Sequence, residues 1–397
     1  MAELRKNTWT LPEWYDQAVD DATGGYQSSA GTAFSWGNNQ YGGLGLNQPM
    51  PYYKSSPVQI PGSNWKQIDS GYRWSVAVKS DGTLWGWGWN DAGNLGQNNI
   101  TNYSSPKQIG SGTDWNKVAA GYWGVLATKT DGTMYGWGGS GNGVGPGNKS
   151  SPIQIPGSNW ELPIGNSSSN FAVKTDGTLW AMGDNDEGAL GLNDRTFRQS
   201  PEQVGTDTNW STDLSKWMNR AQSDEQSMCI KTDGTLWSWG YNRYGQLGLN
   251  EGASPGFNKA KSSPCQIGSG TDWKSCGGCG FTNVAVKTDG TMYVWGENGW
   301  GGRLGLPNAP MYKSYSSPTQ IPGTTWNLVS SANSQFVTRT DGTLWCWGIN
   351  QDGSLGLNQP NTSNPNQTTN SPVQVGSLTN WTDKVQGAIA MTNRKQS

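Results

Sequence analysis

The stretch WKQIDSGYRWSVAVKSDGTLWGWGWNDAGNLGQNNITNYSSPKQI, residues 65–109, decides the fold. Residues 65–70 read as a first strand ended by Gly71, and 75–80 as a second carrying Val76, Ala77 and Val78. Asp81-Gly82 is a two-residue hairpin signal, because a type I′ turn needs positive φ at both central positions. Residues 83–88 alternate large and small side chains as a third strand, whose glycines let neighbouring sheets approach closely. A loop with Asn90, Gly93, Leu95 and Gly96 follows, and 105–109 returns as a fourth, outer strand.

The unit recurs along the chain. Ser-Pro-x-Gln-(Ile/Val) occurs at Pro57, Pro106, Pro152, Pro201, Pro264, Pro318 and Pro372. Each is followed eight or nine residues later by Trp65, Trp115, Trp160, Trp210, Trp273, Trp326 or Trp381. A period of about fifty residues marks stacked or radial repeats. Asp-Gly hairpins stand at Asp81, Asp131, Asp176, Asp233, Asp289 and Asp341; the remaining copy is cut in two. The segment from Trp381 to Thr392 supplies its first two strands, and 31–37 with 57–60 the others. The expectation is an all-β, seven-bladed β-propeller of four-stranded antiparallel blades over 31–397, in which strands from both chain ends share one blade. Such closure removes free sheet edges.

Composition agrees with short, tightly turned strands: 57 Gly and 24 Trp among 397 residues, with only 33% hydrophobic. A net charge of -2 implies neither a nucleic-acid nor a membrane partner, and no apolar run approaches the ~20 residues of a membrane span. The opening residues, with Glu3, Arg5 and Lys6, do not read as a secretory signal. The absence of His removes the commonest general base and most zinc sites, so the expectation is a non-catalytic protein without cofactor or metal. Cys276-Gly-Gly-Cys279 has redox-like spacing but lacks the strand-to-helix context that such chemistry uses. Asp184-Asn-Asp-Glu-Gly188 begins like a calcium loop, yet Arg195 stands where the twelfth-position Glu belongs. The Asp-Gly-Thr register fails the aspartate box of sialidase propellers, and no carboxylate pair suits glycoside hydrolysis.

Gly, an apolar strand, Asp-Gly, Trp-Gly, Asn-x-x-Gly-x-Leu-Gly and Pro, taken together, are similar to the regulator of chromosome condensation repeat, over about residues 31–393. The resemblance implies the propeller and, as an alternative function, a guanine-nucleotide exchange factor or another intracellular protein-binding propeller. Three departures stand out. Trp74 and Gly124 occupy places where family repeats often carry His. One Gly-Leu-Gly has become Gly143-Val144-Gly145, and Met182 replaces a Trp of Trp-Gly.

Strand direction puts the Asp-Gly turns on one face and the variable connections on the other. Variable loops on a rigid scaffold are where recognition usually sits. Tyr72, Trp74, Trp89, Tyr122, Trp123, Trp217, Tyr241, Tyr244 and Trp300 map to the variable face as a candidate binding surface. These rings either contact a partner or pack beneath the long loops. On the opposite face, Lys79, Lys129, Lys174, Lys231, Lys287 and Arg339 form a cationic ring, expected to be neutralised by charge pairs across the hairpins.

Residues 1–30 read as a separate N-terminal stem. Thr10-Leu-Pro-Glu13 fits a capping box, and Leu11, Trp14, Tyr15, Ala18, Val19 and Ala22 recur at helical spacing. Trp9, Leu11, Trp14, Tyr15 and Val19 are its expected anchor residues. The opening Asn7-Thr-Trp9-Thr-Leu11, with Glu13, Trp14 and Tyr15, resembles structural proteins of tailed bacteriophages. That likeness implies a virion component, fixed to other virion proteins by its stem and presenting the propeller to decorate the particle or bind a host surface glycan or protein.

Overall fold

The computed structural model describes residues 32–48, 53–166, 168–218, 226–251, 259–299, 302–331, 334–359, 368–381 and 390–394. Six blades are built from consecutive antiparallel strands and lie, in chain order, at 65–108, 115–155, 160–203, 226–266, 273–321 and 326–374. They are numbered 1 to 6 below. A composite closing sheet, ordered Tyr53–Gln59, Thr32–Asn38, Ala390–Arg394, joins the two ends of the chain. Blade 1 shows the pattern: Trp65–Ser70 innermost, then Trp74–Lys79, Leu84–Gly88 and Tyr103–Gln108 at the rim.

The expected seven-bladed propeller of four-stranded blades with a helical stem is corrected on three points. The propeller has six blades, not seven, and the sheet that closes it has three described strands. Blade 4 also has three, because the 3-10 turn Leu214–Lys216 stands where its inner strand belongs. No α-helix occurs among the described residues, and the expected stem, 1–30, lies outside them.

Inner strands meet around the centre through polar side chains. Asp69 Oδ2 accepts from Ala120 N at 2.8 Å, Gln67 Nε2 donates to Val118 O at 2.7 Å, and Val329 N donates to Ser275 Oγ at 3.0 Å. Cross-blade bonds of this kind satisfy side chains that burial would otherwise leave costly.

The hairpin turns differ from the expected type. Lys79 O accepts from Gly82 N at 3.0 Å, and Gly82 has φ +78° while Asp81 is absent from the positive-φ residues. This is a three-residue connection, a type I turn followed by a left-handed glycine. The aspartate stabilises it locally: Asp81 Oδ1 accepts from Thr83 N (3.0 Å) and Thr83 Oγ1 (2.6 Å). Gly82 also reaches the next blade, where its carbonyl accepts from Trp115 N at 3.0 Å. A Cβ at Gly82 would be driven into the Thr113 carbonyl oxygen. The bond recurs from Gly132 to Trp160, Gly177 to Trp210, Gly234 to Trp273, Gly290 to Trp326 and Gly342 to Trp381. Asp-Gly is therefore a clasp between blades as well as a turn within one.

The Trp-Gly and Gly-x-Leu-Gly motifs form a second clasp. Trp87 Nε1 donates to Gly43 O (2.9 Å), Trp137 to Asn94 O (2.8 Å) and Trp239 to Ala189 O (2.8 Å). Trp295 does the same to Gln246 O (2.9 Å), Trp347 to Arg303 O (2.9 Å) and Trp36 to Ser354 O (3.0 Å). Each carbonyl belongs to the loop of the preceding unit. The glycine ending that loop must be small: a Cβ on Gly45 would lie 2.7 Å from Trp87 Nε1. At the seam between blades 2 and 3 both partners have changed together. Met182 has no indole N–H, and Gly143-Val144-Gly145 is the altered loop that faces it. Asn170 Nδ2, donating to Asn142 O at 2.8 Å, links that seam instead.

Candidate functional site

The turns between first and second strands and the loops between third and fourth strands share one face. Trp89 N donates to Arg73 O at 3.0 Å within blade 1, and Asn94 Nδ2 donates to Trp123 O at 2.7 Å between blades 1 and 2. These bonds fix the backbone beneath a continuous strip of aromatic rings. Tyr41 lies 5.6 Å from Trp89, Trp89 6.4 Å from Tyr72, Tyr72 4.8 Å from Tyr122 in a stack, and Tyr122 4.8 Å from Trp123. Tyr41 comes from the closing sheet, Tyr72 and Trp89 from blade 1, and Tyr122 and Trp123 from blade 2. The four other rings are partly buried, and Trp123 is 39% exposed.

Arg73 sits among these rings, its Cζ 5.0 Å from the Tyr41 centroid and 4.6 Å from that of Tyr72. Cation–π contacts hold the guanidinium without using its N–H donors. Burial raises the Tyr122 hydroxyl above the ordinary tyrosine range; neighbouring Tyr72 adds to this and Arg73 opposes it. The strip is thus aromatic, partly desolvated and locally cationic.

A smaller cluster spans blades 4 and 5. Tyr244 lies 4.7 Å from Phe281, Tyr241 5.7 Å from Phe281, and Arg243 stands 5.8 Å from the Tyr244 ring. Burial, the largest effect, raises the Tyr241 hydroxyl against a hydrogen bond from Arg243.

Two expected surface residues are corrected. Trp74 is 1% exposed and packs into the core shared by blades 1 and 2; Gly71 leaves the space its indole needs. Trp217 is 2% exposed, donates its Nε1 to Ser211 O at 2.7 Å and stacks on Phe171 at 6.5 Å. It covers Phe171 and Trp210, and its backbone bridges Cys229 at the inner edge of blade 4. Trp300 and the anchor residues Trp9, Leu11, Trp14, Tyr15 and Val19 lie outside the described residues.

The cationic ring is arranged differently from expectation as well. Lys79 Nζ lies 4.7 Å from the Trp65 ring and 4.5 Å from Trp85, and Arg339 is held between Trp326 (4.4 Å) and Trp345 (3.9 Å). Where carboxylates do pair, they precede the first-strand Trp: Asp114 with Lys129 at 3.0 Å and Asp272 with Lys287 at 3.1 Å. The hairpin aspartates are occupied by their threonines, so the lysines turn to aromatic faces and to the preceding segment.

Sequence reading missed Tyr41, Arg73 and Phe281. Tyr41 in Asn39-Gln-Tyr41-Gly42 occupies the same motif place as Tyr244 in Asn242-Arg-Tyr244-Gly245, so repeat alignment carried that signal. Arg73 lies between two aromatics already noted, and counting rings alone passed over it.

Among the described residues no cluster of three or more His, Cys, Asp or Glu side chains could hold a metal ion. Asp184, at the start of the calcium-like segment, instead accepts from Asp186 N at 3.3 Å, and Glu187 faces Arg195 at 3.6 Å.

The chain is 28% identical to the ultraviolet-B receptor UVR8 of Arabidopsis thaliana over 280 residues, 70% of this chain and 51% of that protein. It is 28% identical to the human E3 ubiquitin-protein ligase HERC2 over 367 residues, 89% of this chain but 7% of that protein. It thus spans about half the length of one curated relative and a small part of the other. Among solved structures, Prp20p of Saccharomyces cerevisiae superposes with a TM-score of 0.78 at 18% identity, covering 96% of this chain and 95% of that one. Human WBSCR16 gives 0.76 at 19% identity, covering 92% and 99%. These two likenesses show the fold alone. The regulator of chromosome condensation (RCC1) repeat model matches residues 30–78, 81–128, 233–285 and 341–388, and a second model of that description matches 65–94. The matches pass over 129–232, the stretch that holds the altered loop at Val144, Met182 and the 3-10 turn at the inner edge of blade 4. Together these two models match half of the chain, and the chain belongs to the regulator of chromosome condensation repeat family.

Proposed function

We propose that this chain is a non-catalytic, protein-binding propeller that uses its variable-loop face. The strip Tyr41–Trp89–Tyr72–Tyr122–Trp123, with Arg73 among its rings, is the observation that carries this reading. Partly exposed aromatics on a rigid scaffold contribute large contact area at little entropic cost, and aromatic residues and Arg are enriched at protein interfaces. The comparisons support the same direction: the Prp20p structure is described together with its binding to Gsp1p and histones, and a further structure shows it bound to Kap60. Nucleotide exchange is a narrower form of this reading, and acceleration of nucleotide release from a small GTPase would establish it.

The virion role rests on residues 1–30, outside the described residues, and the relatives named above give it no support. Protein binding is therefore preferred over particle attachment.

The test is affinity capture from the source organism's lysate with the full chain, Trp123→Ser and Thr130→Lys. Thr130 is exposed on the opposite, Asp-Gly face. Proteins retained by the native chain and Thr130→Lys but lost with Trp123→Ser support the reading. Identical captures with all three baits overturn it.

A further inference from the structure

We infer that the aromatic strip recognises an acidic protein segment, with Arg73 as the residue that receives its carboxylate. The inference rests on the protein-binding reading of this face and names the chemistry of the partner.

Arg73 differs from the arginines of blade 3. Arg198 pairs with Asp194 at 2.6 Å and with Glu202, and Arg195 faces Glu187 at 3.6 Å. Arg73 pairs with no carboxylate among the described residues and donates to no described acceptor. Tyr41 and Tyr72 hold its guanidinium, and these contacts leave the in-plane N–H groups available. A guanidinium fixed in this way is preorganised for two parallel bonds to a carboxylate, and its rings displace water that would weaken them. Trp123, 39% exposed at the end of the strip, adds an apolar contact beside the charge. Charge and ring together fit a segment that places Asp or Glu near an aromatic or aliphatic residue. Arg243 beside Tyr244 repeats the pairing on blades 4 and 5, with no carboxylate partner among the described residues.

The test uses fluorescence anisotropy with the full chain and two labelled twelve-residue probes, one of alternating Glu and Phe and one of alternating Gln and Phe. The native chain is expected to bind the Glu probe about ten-fold more tightly, the size of a charge-assisted bidentate contact, with the preference shrinking as salt is raised. Arg73→Gln should abolish the preference, Arg73→Lys should retain part of it, and Trp123→Ser should weaken both probes alike. Circular dichroism and urea midpoints matching the native chain establish that the variants are folded. Equal affinity for the two probes, absence of Glu-probe binding, or a preference unchanged in Arg73→Gln would each overturn the inference. Tighter binding of a single-stranded RNA oligomer than of the Glu probe would overturn it in favour of a nucleic-acid surface. None of these outcomes bears on the capture experiment, in which the face can fail or succeed as a protein-binding surface of different chemistry.

Discussion

Replacing Gly82 with Ala separates the two roles of the Asp-Gly clasp when it is set beside Gly110→Ala. Gly82 has φ +78° and Gly110 has φ +63°, so both substitutions force an L residue into the left-handed region. That conformation costs about 1–2 kcal/mol for each. The surroundings differ. Nothing lies within 4 Å of a Cβ at Gly110, whereas at Gly82 the Cβ would run into the Thr113 carbonyl. Relieving that clash moves the segment leading to Trp115 and breaks the 3.0 Å bond from Trp115 N to Gly82 O. A lost buried hydrogen bond adds about 1 kcal/mol, and leaving its groups unsatisfied adds up to about 2 more. Gly82→Ala is therefore expected to lose about 2–5 kcal/mol and Gly110→Ala about 1–2. Urea unfolding followed by tryptophan fluorescence measures both. Equal losses would show that the turn conformation alone matters and would refute the inter-blade clasp.

Three further outcomes follow from the same geometry. Trp74→Ser empties a core position and should cost about 3–5 kcal/mol in urea unfolding, while Trp123→Ser should change stability by less than about 0.5; similar losses would contradict their different burial. Hydrogen bonds from Thr83 hold the Asp81 carboxyl below its ordinary value of 3.8, so its contribution to stability is present above pH 4 and is lost as pH falls through the lower folded value. Thr83→Val should raise the Asp81 pKa in an NMR titration and reduce acid sensitivity in that window; an unmoved pKa would refute the assignment. Burial pushes the Cys229 and Cys346 thiols far up and the half-buried Cys265 thiol up more modestly, so a thiol reagent at pH 8 should label Cys265 first. Early labelling of Cys346 would contradict its burial in the core of blade 6.

Legibility followed how local each cause was. The strands around Val76 to Val78, the strand ending at Trp87-Gly88 and the outer strand at Pro106 could be read because their signals lie within a few residues. Pro106 sits where the outer strand shifts register against Gly86 and Gly88, so it interrupts no central ladder. The turn at Asp81 was placed correctly but typed wrongly, since Asp-Gly suits both a type I′ turn and a type I turn with a left-handed glycine. Trp217 misled because its environment is created by Phe171 of the preceding blade and by the 3-10 turn at the inner edge of blade 4. No residue near Trp217 announces that Phe171 and Trp210 need cover.

What the sequence determined by itself was the repeating unit, its β character and the meeting of the chain ends. Hydrophobic alternation, turn chemistry and a fifty-residue period act between neighbours, and each unit can cover its sheet only against the next. Tertiary structure decided which aromatics outside the repeat frame are core and which are surface. Trp74 went inside because Gly71 left room for it, and Trp123 stayed outside because Asn94 and Gly139 hold its backbone at the loop face. It also decided that Tyr41, Arg73 and Trp123 belong to one site. They come from three successive units, and only the packing of those units around a common centre brings their loops side by side.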